Sequence, residues 1–473
     1  MRRRLAKLEK LSRKLEPTKG ERKAARKKVL KYTEKFLNEI ENIKAFQFKS
    51  NKGIGLLQSP IREKPTRMET LLKLIKENVD YPSLNPASGG HFGYIPGGGI
   101  YYSALGDYLA DITNRYAGVF YAGPGAVRME NMLIKWVAGL MGFPLNSAGN
   151  LTSGGSIANL ISICTARDAK KVNSQNVQKS VIYLSSQAHH SLEKAIRIAG
   201  LRECILRYVS LDNRYRIDPD QLARHVTSDK REGLLPFLVI ASAGTTDAGA
   251  IDPLDKIASI AKQHKLWFHI DAAYGGFFMM TREGRKKLKG IEKGDSLVVD
   301  PHKGLFLPYG IGVVLIKDSK RLSATHYYQA NYMQDALSAN DETSPANVSP
   351  ELSKHFRGLR MWLPMKLHGV SPFRSCLEEK LLLAKYFYKE VRKLGFETGQ
   401  APELSIVTYR YVPEEGDADA FNKKLVEIVQ KDGRVYISST LLGGKFMLRF
   451  ACLNFRTHVK QVDILLKILE DSI

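Results

Sequence analysis

Between residues 126 and 320, short apolar runs alternate with helical segments, and this alternation limits the folds open to the chain. The strand-like runs are Ser180–Leu184, Pro236–Ala241, Trp267–Ile270, Ser296–Val299 and Gly312–Ile316. Runs that are apolar throughout are typical of strands covered on both faces. Strands alternating with helices form mainly parallel sheets through right-handed crossovers. The pattern therefore predicts an α/β domain built on a mainly parallel sheet.

The flanking segments have other patterns. Apolar side chains at helical spacing predict helices over residues 21–46, 68–79 and 374–396, whereas the Pro/Ser-rich stretch 337–356 predicts a long exposed loop. The tail predicts two strands and two helices, in the order 404–411, 418–431, 445–452 and 457–472. We therefore divide the chain into four predicted regions, which are 1–20 (basic extension), 21–85 (helical), 86–370 (large domain) and 371–473 (small α+β domain).

The net charge of +24 is concentrated at the N-terminus. Residues 1–36 hold 15 Lys and Arg against four Glu, a net charge of +11. No apolar core of a secretory signal follows. A solvated basic helix, a basic arm for anionic polymers and a mitochondrial transit peptide stay open, although the Glu residues and the scarcity of Ser disfavour the last. No apolar stretch approaches the roughly 20 residues of a membrane span.

The four cysteines argue against two classes of site. Cys164, Cys204, Cys376 and Cys452 are far apart, with no CxxC pair and no histidine cluster nearby. This spacing predicts neither a metal site nor a disulfide framework. It favours a reducing compartment, and we predict a cytoplasmic protein.

Polar and small residues follow the predicted strands, where ligands gather in open α/β sheets. Asp271 ends one strand, and Asp300, His302 and Lys303 follow the next. The remaining strand ends carry the sequences "SGGSIAN" (residues 153–159), "QAHH" (187–190) and "GTT" (244–246).

Together these residues meet four requirements of pyridoxal phosphate (PLP). Lys303 supplies an amine for a Schiff base, and Asp271 supplies an acid beside the pyridine nitrogen. Gly155 and Ser156 open a helix whose backbone N–H groups suit a phosphate. His189 supplies a ring for stacking. The sequence therefore predicts a PLP site.

The chain resembles the group II PLP-dependent decarboxylases, the family of aromatic-L-amino-acid and glutamate decarboxylases. The matching segments are "TSGGSIANL", "SSQAHHSLEKA", "ASAGTTDAGAIDPL", "HIDAAYGG", "DPHKGL" and "FRGLRMWLPMKLHGV". The resemblance covers about residues 21–473. It implies the PLP-dependent transferase fold type I, with a seven-stranded sheet in the large domain, a small C-terminal α+β domain and N-terminal helices. It also implies a homodimer whose interface includes residues 21–85.

The resemblance implies roles for individual residues. Lys303, His189 and Asp271 would be catalytic, and Ala273 would pack against the cofactor ring. Further cofactor contacts would come from Gly155, Ser156, Thr246, Asp300 and His302. Substrate contacts would come from Tyr94, Ile95, Gly97 and His189.

The activity that follows is decarboxylation of an aromatic L-amino acid to its amine. Aldehyde synthesis by decarboxylation with oxidative deamination, and decarboxylation of an acidic or other non-aromatic amino acid, stay open as alternatives on the same scaffold. A basic binding protein for nucleic acid or membranes on an inactive scaffold is disfavoured, because Lys303, Asp271 and His189 are all present.

The chain departs from the family in the segment that corresponds to the mobile loop. Aromatic-type members carry a Tyr in the mobile loop that is thought to protonate Cα, whereas residues 336–356 contain no Tyr and the matching position falls near Ser344–Pro345. Tyr327, Tyr328 and Tyr332 precede this loop. His189 is a possible substitute proton donor.

Overall fold

The computed structural model describes residues 1–48, 52–327 and 342–473. Its N-terminal region contains α1 (Arg2–Ser12), α2 (Lys19–Glu39), β1 (Phe46–Gln47), α3 (Met68–Ile75), β2 (Ser83–Leu84) and β3 (His91–Phe92). A capping box between Thr18 and Glu21 fixes the start of α2. The prediction that this helix continues to residue 46 is wrong, because α2 ends at Glu39 and Phe46 pairs with Leu84 in a strand.

The large domain alternates helices and strands. Its elements are α4 (Tyr101–Thr113), α5 (Pro124–Leu140), β4 (Ala148–Thr152), α6 (Gly155–Ala169), β5 (Ser180–Leu184), α7 (His190–Ile198), β6 (Ile205–Tyr208), α8 (Pro219–Arg231), β7 (Leu235–Ser242), α9 (Leu254–His264), β8 (Trp267–Asp271), α10 (Arg282–Lys287), β9 (Ser296–Val299), α11 (Pro301–Gly304), β10 (Gly312–Ile316), α12 (Ser319–His326) and α13 (Gly358–His368).

Seven of these strands form one sheet in the order β4-β10-β9-β8-β7-β5-β6. β10 runs antiparallel to both of its neighbours, and the other pairs are parallel. Side chains on both faces of the sheet are buried in two apolar clusters, as the uniformly apolar runs predict. The predicted α/β class and mainly parallel sheet are confirmed.

The small domain follows. It contains α14 (Ser371–Lys393), β11 (Glu397–Thr398), β12 (Ile406–Arg410), α15 (Ala418–Asp432), β13 (Tyr436–Leu442), β14 (Lys445–Ala451) and α16 (Val459–Glu470). The order of its sheet is β11-β12-β14-β13-β3, so β3 from the N-terminal part of the chain completes it. The predicted α+β character is confirmed, while the exact domain boundaries stay predictions.

The predicted exposed loop over 337–356 is wrong for much of its described part. Residues 337–341 lie outside the described residues, as do Tyr328 and Tyr332. Pro345, Val348 and Ser349 are buried, and the side chain of Lys354 is 0% exposed. The segment lies against the large domain because Lys354 pairs with a buried carboxylate on α5. Within the described ranges, no helix is both long and apolar enough to cross a membrane.

Candidate active site

A cavity of about 360 Å³ lies at the carboxyl edge of the large sheet. It is lined by the nine residues to which the family resemblance gives a role at the cofactor, namely Gly155, Ser156, His189, Thr246, Asp271, Ala273, Asp300, His302 and Lys303. They meet because β4, β5, β7, β8 and β9 are parallel, so that the turns after these strands open at the same edge. β10 is antiparallel and begins at this edge, which adds Tyr309 and Gly310 to the lining.

Lys303 lies one helical turn after Asp300. Its Nζ is 3.1 Å from Oδ2 of Asp300, whose side chain is 2% exposed. The other carboxylate oxygen, Oδ1, is buried and has no hydrogen-bond partner among the described residues. The nearby ring of His302 is held by a 2.5 Å hydrogen bond between Nδ1 and the carbonyl of Ile311. Lys303 and Asp300 therefore present to the cavity an amine that is fixed by an ion pair and a carboxylate with one oxygen that lacks a partner among the described residues.

Asp271 is held by Asn159, which the sequence analysis did not single out. Oδ2 of Asp271 accepts a hydrogen bond from Nδ2 of Asn159 at 3.2 Å. Oδ1 of Asn159 lies 3.0 Å from Nε2 of the buried His269. Burial lowers the pKa of His269 to about 4, so the ring is neutral at pH 7. The amide oxygen of Asn159 can only accept a hydrogen bond, so Nε2 of His269 carries the ring proton. His269 therefore donates to Asn159, and Asn159 in turn donates to Asp271.

His189 caps the start of α7. The backbone N–H of Ser191 donates to its Nδ1, which leaves the ring proton on Nε2. Burial lowers the pKa of His189, and the nearby negative charge of Asp271 opposes this effect. The hydroxyl of Ser191 lies 2.7 Å from Nδ1 and also accepts from Asn159 at 3.2 Å. Asn159 thus connects the ring of His189 to the carboxylate of Asp271.

The turn between β4 and α6 forms an uncapped helix start. Gly154 has a φ of +145°, a conformation that favours glycine, and no side chain caps the helix. A Cβ atom on Gly155 would lie 3.0 Å from Oδ2 of Asp300, so a small residue keeps the cavity open. The first N–H groups of α6 are therefore oriented for an anion.

Of the four residues predicted to contact substrate, His189 lines this cavity, whereas Tyr94, Ile95 and Gly97 do not. Ile95 is 7% exposed and packs in the large core. Tyr94 is 58% exposed, and its ring stacks against Tyr436. Gly97 packs against the backbone of the Lys303 turn, where a Cβ atom would lie 2.6 Å from the carbonyl oxygen of His302. Their role in substrate binding stays a prediction.

Arg449 is a further residue that the sequence analysis missed. It is 3% exposed, and its guanidinium donates to the carbonyls of Asp247 and Tyr94 and to Ser438. Burial lowers its pKa to about 10. It therefore joins the small domain to the turn that carries Thr246. Arg449 lies in the predicted strand 445–452, but a strand pattern alone does not distinguish a buried arginine from a surface one.

The groups in the cavity fit a phosphate-bearing pyridoxal cofactor. The uncapped start of α6 suits the phosphate, and Lys303 provides an amine. Asp271 is a buried carboxylate that is already held by fixed donors. Two buried oxygens at the cavity, Oδ1 of Asp300 and Oε1 of Gln187, lack partners within the described residues and are available to a ligand. Fold and site together define a PLP-dependent enzyme of fold type I.

Comparison with known proteins gives the family. The model of the pyridoxal-dependent decarboxylase conserved domain matches residues 51–412. Aromatic-L-amino-acid decarboxylase of Bacillus atrophaeus is 33% identical over 420 residues, covering 87% of each chain. The crystal structure of Oryza sativa TDC with PLP and tryptamine has a TM-score of 0.91 at 24% identity, covering 97% of this chain and 98% of that one. Rhodiola rosea 4-hydroxyphenylacetaldehyde synthase has a TM-score of 0.87 at 22% identity, covering 96% and 98%.

The chain belongs to the pyridoxal-dependent decarboxylase family. It is a PLP-dependent amino-acid decarboxylase, a carboxy-lyase. The predicted family, fold class, enzyme class and cofactor are confirmed. The two structural likenesses, both under 25% identical, establish the fold alone and do not identify the substrate.

Proposed function

We propose that the chain decarboxylates an aromatic L-amino acid and releases the amine. The observation that carries this proposal is the single cavity that holds Lys303, Asp271 and His189 in a chain 33% identical to an aromatic-L-amino-acid decarboxylase. Tyr274 and Tyr309 are also among the residues that line the cavity, and aromatic residues there favour an aromatic substrate side chain over glutamate.

When bound, PLP supplies a Schiff base carbon and a ring that accepts the electrons of the broken Cα–carboxylate bond. Lys303 would provide the amine that holds the cofactor. Asp271 would keep the proton on the ring nitrogen, because its carboxylate is held by the amide of Asn159 and the backbone N–H of Ala273. These fixed donors stabilise the ionised carboxylate without reorganisation during the reaction.

The other residues would bind and orient. The first N–H groups of α6, at Gly155 and Ser156, would hold the phosphate. Ala273 and His189 would pack on the cofactor ring, with Thr246, Asp300 and His302 completing the contacts. His189 keeps its ring orientation through Ser191, so its Nε2–H is directed by the fold and not by the substrate.

Residues 336–356 contain no Tyr, and two of the proton-bearing side chains of the cavity are candidates to protonate Cα in its place. They are Nε2–H of His189, which the sequence predicts as a substitute, and the hydroxyl of Tyr309. Comparing His189→Gln with Tyr309→Phe separates them. Loss of the proton donor should raise the share of carbonyl product relative to amine, whereas loss of a binding contact should raise KM and leave the product ratio unchanged.

The direct test is a screen of amino acids with the PLP-loaded protein, in which carbon dioxide, amine, ammonia and peroxide are all measured. Carbon dioxide with equimolar amine from Phe, Tyr or Trp supports the proposal. Ammonia and peroxide would instead identify an aldehyde synthase, and activity confined to glutamate would exclude the aromatic substrate. Lys303→Ala is the control, because it should remove both the visible absorbance of the bound cofactor and the activity.

We also propose a homodimer in the cytoplasm. An apolar face of α4 lies in solvent, with Tyr101, Tyr102, Tyr108, Leu109 and Ile112 between 38% and 68% exposed. Contiguous exposed apolar side chains of this kind are typical of subunit interfaces. Ile112→Lys should shift the sedimentation coefficient from dimer to monomer, and a fully active wild-type monomer would exclude the proposal.

A further inference from the structure

α1 has two chemically different faces, and both lie in solvent. Leu5, Leu8 and Leu11 are 57%, 53% and 53% exposed, and no residue of the helix is buried. At 100° per residue, these three leucines share one face of about 120°. Leu15, which is 88% exposed, follows on the same side. A row of leucines is therefore presented to solvent without a covering element in the described chain.

The opposite face of α1 is strongly basic. Arg2, Arg3, Lys7 and Lys10 lie on it, and the only acidic residue in the helix, Glu9, is already paired with Arg13 at 2.6 Å. Arg4 lies within the arc of the leucines, where its long stem can lie along an apolar surface while the guanidinium reaches a polar layer. The helix thus combines an apolar face with a cationic face, as helices that lie in a membrane interface do.

The chain between α1 and α2 separates this helix from the catalytic body. Glu16 is extended, and the capping box of Thr18 and Glu21 starts α2 as an independent helix. α1 belongs neither to the core clusters nor to the lining of the catalytic cavity. Its leucines are consequently available to an external surface without any change in the enzyme.

We propose that α1 binds the surface of an anionic lipid bilayer, with its leucines at the acyl boundary and its cations among the headgroups. Anionic lipid complements both faces of the helix, since each Lys or Arg near such a surface is attracted and each leucine loses contact with water. A nucleic acid would use the cations but not the leucines. A second copy of α1 would cover the leucines but would leave the basic face of each helix without a partner of opposite charge.

The test is co-sedimentation of the full-length, PLP-loaded protein with two kinds of vesicle. One is phosphatidylcholine alone, and the other also contains phosphatidylserine. We expect binding to the second that weakens as salt rises, because the attraction is screened. The variant Leu5→Ser/Leu8→Ser/Leu11→Ser keeps every charge, and it should lose at least about tenfold in binding.

A matched control removes three leucines from elsewhere on the surface. Leu145, Leu382 and Leu441 are 101%, 64% and 67% exposed, so Leu145→Ser/Leu382→Ser/Leu441→Ser should bind vesicles as the wild type does. Both triple variants should keep the decarboxylation rate of the wild type.

Three results would overturn the proposal. The first is equal sedimentation of the wild type with both kinds of vesicle. The second is undiminished binding by the α1 variant, which would leave only nonspecific attraction of charge; displacement of that binding by RNA would identify a nucleic-acid arm. The third is a change from dimer to monomer caused by the α1 variant, which would make the leucine face an interface between copies.

Discussion

Nζ of Lys354 lies 2.8 Å from Oε2 of Glu130, and the two side chains are 0% and 2% exposed. Lys354 also donates to Oδ1 of Asn150 at 2.9 Å and to the carbonyl of Leu151 at 3.0 Å. The other oxygen of Glu130 accepts from the backbone N–H of Gly358. This pair therefore fixes the segment before α13 to α5 and β4, directly behind the turn that starts α6.

Replacing one residue of this pair should destabilise the fold strongly, and replacing both should destabilise it much less than the two single losses together. Glu130→Leu or Lys354→Met leaves a buried charge without its partner, and we expect each to lower the free energy of unfolding by about 3–5 kcal/mol. The double variant should lose much less than the sum. Urea unfolding of the four proteins measures this coupling, and simple additivity of the two losses would show that the two side chains act independently.

The two cavity carboxylates should differ in catalysis. Asp271→Asn removes the charge proposed to hold the proton on the ring nitrogen, and we expect kcat to fall by roughly 10²–10³-fold. Asp300→Asn retains the size of a side chain whose Oδ1 lacks a partner in the described chain, and its kcat should stay within about tenfold of wild type. Visible absorbance spectra of both variants, loaded with PLP, check that the cofactor is bound. The reverse order of effects would assign the ring nitrogen to Asp300.

The glycine turn before α6 offers a second comparison. Gly154 has a φ of +145°, so Gly154→Ala introduces backbone strain and should weaken PLP binding by at least about tenfold. Gly139 lies inside α5 with open space around it, so Gly139→Ala should stabilise the protein by up to about 1 kcal/mol. Titration of both apo-proteins with PLP, together with urea unfolding, gives the two quantities. Equal PLP affinity in the two variants would exclude the proposal that this turn binds the phosphate.

Buried histidines should make the protein less stable in mild acid. Burial lowers the pKa of His91 to about 4 in the folded chain, against about 6.5 when unfolded. As pH falls from about 6.5 to 4, the unfolded chain therefore binds a proton that the folded chain does not, and the free energy of unfolding falls by about 3 kcal/mol for this residue.

Two other buried groups act in the same pH range. His269 also lowers the free energy of unfolding as pH falls, as His91 does, because its pKa is lowered to about 4 in the folded chain. Burial raises the pKa of Asp252 to about 6, so the folded chain binds that proton first and gains stability between about pH 6 and 4. In His91→Gln, the free energy of unfolding should fall less steeply between pH 6.5 and 4.5, by a slope that corresponds to about one bound proton. An unchanged slope would mean that His91 is charged in the folded protein.

Sequence patterns predicted those strands that are apolar along their whole length. The predicted bounds of β5, β9 and β10 match the structure, because every residue in these strands is buried. β4 and β13 were not predicted. β4 contains Gly and Asn, and β13 contains three consecutive Ser or Thr residues, so neither has an apolar run to detect.

The residues proposed to bind the cofactor could be grouped from the sequence because they lie at or after strand ends at the same edge of the sheet. Asn159 and His269 could not be, because they act through other residues. Asn159 lies within α6 and His269 in the middle of β8, where a sequence gives no sign that two side chains meet. Lys354 was assigned to solvent for a similar reason, since its partner Glu130 is far away in the chain.

The position of β4 at the edge of the large sheet has a consequence for synthesis. Its neighbour in the sheet is β10, which leaves the ribosome much later. Until residues 312–316 have emerged, β4 and the glycine turn that it carries lack the strand that holds them in place. Lys303 emerges just before β10, so the nascent chain acquires the amine and the turn proposed to hold the phosphate almost together. We therefore expect capture of the cofactor to await completion of the large sheet.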